Sequence, residues 1–362
     1  MKINSISLEN YRNISSLSLD FEDTNIIWGE NAQGKTNLIE AIYLFTGSHS
    51  FRGTKDKDLI KFNENSCKLD LSFFSNNRQQ NAQIQIGERK KILLNGITKK
   101  SSTALGDEIK AIIFSPVHLT MIKDGPSERR KFVDNALCQL KSNYSELLKN
   151  YNRTLIQRNS LLKKCESLEQ VETFLDVWDI NLAKTGAKII FQRMKYIEAI
   201  TPYIKDIFQG LSSGKEEIDL KYIGADDYNI DIKDIEQKLY NSISTHHKAD
   251  FFNQTTTKGP HRDDIEILIN SKSARSFGSQ GQQRSCVLAL KLAEASLLKE
   301  MTDIEPVAIL DDVMSELDEK RQDYILNHIK NCQVFITCCD KETILRLKKG
   351  KTFHIKDGNL VE

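Results

Sequence analysis

The sequence predicts an α/β protein whose sheet-containing lobe is assembled from both ends of the chain around an inserted, mainly helical lobe. Three observations carry this. A glycine loop sits between an apolar strand and an apolar helix near the start, a second apolar strand ends in paired aspartates near the end, and helical periodicity fills much of the middle.

The first element is the most specific. Gly29-Glu30-Asn31-Ala32-Gln33-Gly34-Lys35-Thr36 spells G-x-x-x-x-G-K-[ST], after the apolar run 26–28 and before residues 37–46, where Leu38, Ile39, Ile42 and Phe45 recur at helical spacing. Glycines let backbone N–H groups turn inward around phosphate oxygens, and the following helix N-terminus presents its positive dipole end. Lys35 supplies a mobile charge and Thr36 offers a hydroxyl to Mg²⁺. All eight residues, 29–36, are therefore candidates for binding a nucleotide such as ATP. The alternative is a glycine turn before an ordinary helix, and the flanking strand and helix weigh against it.

The second element is the apolar run 307–310 after Pro306, which ends in Asp311-Asp312. A carboxylate there can hold Mg²⁺, with Thr36, and position a water. Shortly before it, Phe277-Gly278-Ser279-Gln280-Gly281-Gln282-Gln283-Arg284 precedes an Ala- and Leu-rich helical stretch at 286–298. A small-residue loop at a helix N-terminus is a second anion site, and one chain has little use for two γ-phosphate cradles. Either the second cradle serves a partner's nucleotide or the loop merely caps its helix.

Together these blocks resemble a known family. Ser279-Gln280-Gly281-Gln282 looks like the ABC signature loop, Ser315-Glu316-Leu317-Asp318 like its D-loop, and the two chain ends like an ABC/SMC-type P-loop ATPase head. Tyr11-Arg12-Asn13 and Gly259-Pro260-His261-Arg262-Asp263-Asp264, in order with the others across nearly the whole chain, are similar to the RecF family of recombination and repair ATPases. The resemblance implies a monomer that dimerises when two ATP molecules are sandwiched between Lys35 of one chain and Ser279 of the other. It implies roles for Arg12, Gly281 and Gln282 at the nucleotide, and for Asp312, Lys35 and Ser279 in catalysis. It also implies binding to single-strand gaps or duplex/single-strand junctions in DNA, help in recombinase loading with RecO and RecR partners, and a place in replication, the DNA-damage (SOS) response and repair.

Departures from the general ABC pattern bear on rate. Asp312 stands where a longer Glu is usual, Ser115 follows the run 111–114 where a Q-loop glutamine is expected, and Thr337 or Cys338 replaces the switch histidine after 334–336. Each change removes or shortens a group that orients water or Mg²⁺, and losing one preorganised contact costs on the order of 10²–10³ in rate. Slow turnover is the expectation.

Composition excludes several classes. The 51 Lys+Arg balance 50 Asp+Glu, a net charge of +1, so DNA must meet a local patch and not a global field. Seven cysteines include no C-x₂-C pair, which favours a reduced cytoplasm over a disulfide framework or zinc site. No signal-like segment opens the chain and no 18-residue apolar run occurs, so a soluble, cytoplasmic protein with no membrane partner is expected. A transporter ATPase subunit would need a switch histidine, and a structural SMC head would need a long coiled-coil arm that 141–250 cannot supply. A nuclease of the overcoming-lysogenization type would need an acidic metal-binding domain beyond Asp318.

Residues 3–114 read mostly as strands, with turns at Asn76-Asn77 and Asn95-Gly96, and 2–13 as an edge strand and turn. From about 127 to 207 the texture is helical, and strands return after Thr255. The expected division is an ATPase lobe of 1–118 and 251–362 carrying a helical lobe of 119–250. Phe51-Arg52-Gly53 resembles the arginine loop of SMC heads, which makes Arg52 a candidate contact for nucleotide or DNA against the alternative of a solvated arginine. In Glu128-Arg129-Arg130-Lys131, Arg129 and Arg130 are candidate DNA contacts, with a self-compensated helix-face charge run as the alternative. The 259–264 block reads chiefly as a hydrogen-bonded turn.

Overall fold

The computed structural model describes residues 1–224, 227–339 and 350–361, and the chain divides into two compact units. The first holds 1–120, 207–214 and 284–362. One of its sheets, among the described residues, has six antiparallel strands in the order Ile14–Asp20, Lys2–Tyr11, Cys67–Ser75, Arg78–Ile86, Lys91–Leu94, Ile97–Lys99. Two of its hairpins turn at Asn76-Asn77 and Asn95-Gly96, all four residues at positive φ as type I′ hairpin turns demand. Lys2–Tyr11 is an inner strand, paired on both sides, and not the edge strand expected from the sequence.

The second sheet runs Asn359–Val361, Lys351–Lys356, Thr24–Trp28, Val334–Cys338, Val307–Asp311, Ala111–Phe114. Apart from the antiparallel Asn359–Val361, its neighbours pair in parallel. Val334–Cys338, Val307–Asp311 and Ala111–Phe114 are buried at every position, as strands covered on both faces must be. The helix Lys35–Leu44 buries all but two of its residues, and Leu38, Ile39 and Ile42 share one core with Ile6, Leu71 and Ile84 of the first sheet and Ile27, Ile309 and Phe335 of the second.

The other unit holds 121–206 and 215–283. Its helices include Pro126–Leu140, Tyr144–Leu162, most of Leu168–Ser212, Ile232–Thr245 and His247–Asn253. It also has an antiparallel sheet of Lys272–Ser273, Asp264–Ile269 and Ile218–Ile223. That sheet corrects the expected boundary at 251: the strand Asp264–Ile269 pairs with Ile218–Ile223, so 251–283 belongs with the helices and the chain returns to the first unit only at 284.

Buried ion pairs organise this unit. Arg158, fully buried, donates to Asp179 (2.7 Å), Asp250 (2.7 Å) and Thr256 (2.9 Å), and His247 bonds the other oxygen of Asp179. The 259–264 block is the structural turn anticipated. His261 bonds the Tyr151 hydroxyl at 2.7 Å, Arg193 donates to the Pro260 carbonyl at 2.6 Å, and Arg262 N–H closes the turn on Gly259. Burial pushes the His261 pKa down to about 4, so the ring is neutral at physiological pH.

Arg158→Ala should destabilise the protein by about 3–5 kcal/mol, because it strips two buried carboxylates of the guanidinium they share. Urea denaturation followed by tryptophan fluorescence checks this, and an unchanged midpoint would contradict it.

Candidate nucleotide-binding site

Strand register builds the site. Asp311 is the register partner of Thr337, and Thr337 of Ile27, so three neighbouring parallel strands end together. Their following residues, Asp312, Cys339 and Gly29, all lie at the carboxyl edge of the sheet, where open α/β sheets bind ligands.

The loop between strand and helix is held from outside. Gly29 (φ 153°) lies so close to the Ile355 carbonyl that a Cβ would stand 2.3 Å from its oxygen, and a Cβ on Gly34 (φ 109°) would stand 2.9 Å from Asn13 Oδ1. Only glycine fits either place. Asn13 donates to the Gln33 carbonyl (3.3 Å) and accepts from Asn37 Nδ2 (2.8 Å). The turn Asp357-Gly358 of the last hairpin adds two bonds, Asp357 N–H to Gln33 Oε1 (2.6 Å) and Gly358 N–H to the Gln33 carbonyl (2.9 Å). In the sequence this hairpin's only local signal is an Asp-Gly turn.

Inside the loop, the nearly buried Lys35 donates to the carbonyls of Gly29 (2.7 Å) and Glu30 (2.9 Å). Thr36 Oγ1 donates to Asp311 Oδ1 at 3.0 Å, which joins the two residues expected to hold Mg²⁺. Thr337 Oγ1 donates to the same oxygen at 2.9 Å and accepts from the Asp312 N–H at 2.9 Å. Burial raises the pKa of Asp311, and the bonds from Thr337 and Thr36 oppose the rise. Asp312 is held at φ 49°, a left-handed backbone uncommon for a non-glycine residue.

The donor set fits a magnesium-bound triphosphate. Among the described residues no group of three or more His, Cys, Asp or Glu could cage a cation alone. One carboxylate and one hydroxyl beside a glycine cradle suit Mg²⁺ that takes its remaining ligands from phosphates and water.

Arg12 is committed largely to structure. At φ 56°, it forks onto Glu40 (3.0 and 2.9 Å) and also donates to Thr54 and the Asp58 carbonyl. Glu40, fully buried on the loop's own helix, also accepts from Tyr11 and Ser50. Arg52 is exposed, and its guanidinium bonds Asn37, in the first turn of Lys35–Leu44, at 2.9 Å. Arg129 corrects the sequence reading. Its guanidinium is buried, forks onto Asp264 (2.8 Å twice) and donates to the carbonyls of Met121, Ile122 and Asp124, so it is spent on structure and not presented to DNA phosphates. Half-buried Arg130 donates to the Asp263 carbonyl at 2.6 Å.

Ser279 and Gln282 form a reciprocal capping pair: the Ser279 N–H reaches Gln282 Oε1 (2.7 Å) and the Gln282 N–H reaches Ser279 Oγ (3.2 Å). They sit at the N-terminus of Gln280–Thr302, and Gln283 fastens the loop to the carbonyls of Ala274 and Gly278. Arg284 donates to the carbonyl and carboxylate of Glu316 in the D-loop-like segment, and Asp318 caps Glu319–His328. Ser115, at the Q-loop place, is buried and bonds His118 at 3.1 Å.

Fold and site together define a P-loop ATPase head of the ABC/SMC class. The RecF/RecN/SMC N-terminal domain family matches residues 2–358. The chain is 40% identical over 368 residues to the DNA replication and repair protein RecF of Lachnospira eligens, covering 100% of this chain and 99% of that one, and it belongs to the RecF family. The corresponding protein of Clostridioides difficile is 37% identical over 369 residues, covering 100% of this chain and 98% of that one. A solved structure of the recombination mediator protein RecF–ATPrS in the RecFOR pathway superposes with a TM-score of 0.91 at 36% identity, covering 99% of this chain and 97% of that one. An Smc head bound to the C-winged helix domain of ScpA, at 16% identity and a TM-score of 0.56 over 100% of this chain and 97% of that one, shares the fold.

Asn13→Ala should keep the fold but weaken ATP binding roughly fivefold to thirtyfold, the equivalent of about 1–2 kcal/mol for the lost bonds to Gln33 and Asn37. Equilibrium titration with a fluorescent ATP analogue measures it, and wild-type affinity would show that the loop needs no external brace.

Proposed function

We propose that this chain is the DNA replication and repair ATPase of recombinational repair in its organism, a slow ATP-driven dimerisation switch on gapped or junction DNA. The observation that carries the reading is the phosphate loop with Lys35, Thr36 and Asp311 assembled at one sheet edge. Similarity over the full chain to RecF proteins and to RecF structures solved with ATP and ATPrS supports it.

Residues 29–36 bind ATP, and Lys35 exchanges the Gly29 and Glu30 carbonyls for β- and γ-phosphate oxygens. Thr36 and Asp311 hold Mg²⁺, which when bound neutralises developing phosphate charge. Asp312 positions the attacking water. Ser279, with Gly281 and Gln282 at a helix N-terminus, docks on the nucleotide of a second copy, so each site is complete only in the dimer. Hydrolysis separates the copies and releases DNA. Turnover is slow because Asp312 is a short base and no histidine stands at the switch position. Arg52 contacts the nucleotide or DNA, RecR and RecO are the partners in recombinase loading, and the cytoplasm is the compartment. No helix among the described residues is long and apolar enough to cross a membrane.

Lys35→Ala should abolish ATP-dependent dimerisation and ATP-stimulated DNA binding together, since one charge anchors both phosphates. Sedimentation velocity with ATP, with and without gapped DNA, reads both. A variant that still dimerises normally with ATP would overturn the switch.

A further inference from the structure

Of the two residues that the sequence places at the switch-histidine position, Thr337 reaches the site, and Cys339 joins it there. Side chains alternate along a strand. On Val334–Cys338, buried Thr337 reaches Asp311, so Cys338 faces the other side and Cys339 returns to the site. The Cys339 sulfur stands 3.3 Å from Lys35 Nζ, 2.9 Å from Asn31 Oδ1, and 3.4 and 3.6 Å from the two Asp312 oxygens. One thiol thus touches the phosphate-facing lysine, the phosphate loop and the candidate base.

We propose that Thr337 and Cys339 divide the switch role between them, Thr337 fixing the Asp311 carboxylate and the Asp312 backbone, Cys339 holding the Asp312 side chain in register with Lys35. This inference rests on the ATPase reading above. A thiol has one proton to donate and faces two acceptors, Asn31 on the loop and Asp312 beyond it. Lys35 donates to the sulfur. When Lys35 and the loop close on phosphate oxygens, Asp312 is left as the acceptor for the S–H, and the bond orients the carboxylate toward the water it must position. Burial pushes the Cys339 pKa up, with Asp312 adding and Lys35 opposing, so the proton is present at neutral pH. Both residues are positioning residues: they act through Asp311 and Asp312.

The test compares Cys339→Ala and Cys339→Ser with wild type in steady-state ATP hydrolysis, alongside ATP binding and maleimide labelling read by mass spectrometry. Cys339→Ala should lose about tenfold in kcat, the worth of one hydrogen bond to a charged group, with KM for ATP unchanged. Cys339→Ser, which keeps one donor and its acceptor capacity, should recover most of the rate. In wild type, ATP with Mg²⁺ should slow labelling of the exposed Cys339 while leaving the partly exposed Cys165 unaffected. Wild-type kcat in Cys339→Ala, a serine variant as slow as the alanine one, or unchanged Cys339 labelling under saturating ATP would each overturn the assignment. Failure of wild type to bind ATP would overturn the functional reading on which it stands.

Discussion

The register of three parallel strands is the constraint on which the rest of the site depends. Pairing Asp311 with Thr337 and Thr337 with Ile27 makes three chain segments, far apart in sequence, stop at one level. Shifting any strand by one residue would turn its side chains to the other face and bury the wrong ones. The register survives because every position of Val307–Asp311 and Val334–Cys338 is buried, so slippage would expose or crowd apolar groups on both faces. The chemistry at the edge is therefore inherited from the core.

The phosphate loop is the second dependent feature. A loop of glycines and small residues has high conformational entropy, and closing it around a ligand would consume binding energy. Here the cost is met during folding, because Asn13, Ile355, Asp357 and Gly358, from segments outside the loop, fix its backbone. Glu40 extends the same logic. One buried carboxylate ties the loop's helix to Tyr11, Arg12 and Ser50, and so fixes the start of the segment that carries Arg52.

What the sequence revealed divides along this line. The phosphate loop and the Asp311 strand were legible because their chemistry is local: the backbone turn needs glycine, the charge needs lysine, and a two-sided buried strand needs an unbroken apolar run. The hairpin turns at Asn76-Asn77 and Asn95-Gly96 were legible for the same reason. Cys339 and Gly358 were not, since their roles come from register and from an approach across more than three hundred residues. Arg129 was misread although the signal was present. With Phe132, Val133, Ala136 and Leu137 it falls on the buried stripe of its helix, and a charge on that stripe must be paired. The boundary at 251 failed because helical texture says nothing of the strand partner that Asp264–Ile269 finds at Ile218–Ile223.

The central claim is that each nucleotide site is completed by the signature loop of a second copy. Mixing Ser279→Arg with Lys35→Ala tests it most directly, because their heterodimer keeps one sound site, formed by Lys35 of the first chain and Ser279 of the second. The mixture should hydrolyse ATP although neither variant does so alone, with ATP binding by the Ser279→Arg monomer intact. A mixture as inactive as its parts, or a Ser279→Arg monomer unable to bind ATP, would contradict it.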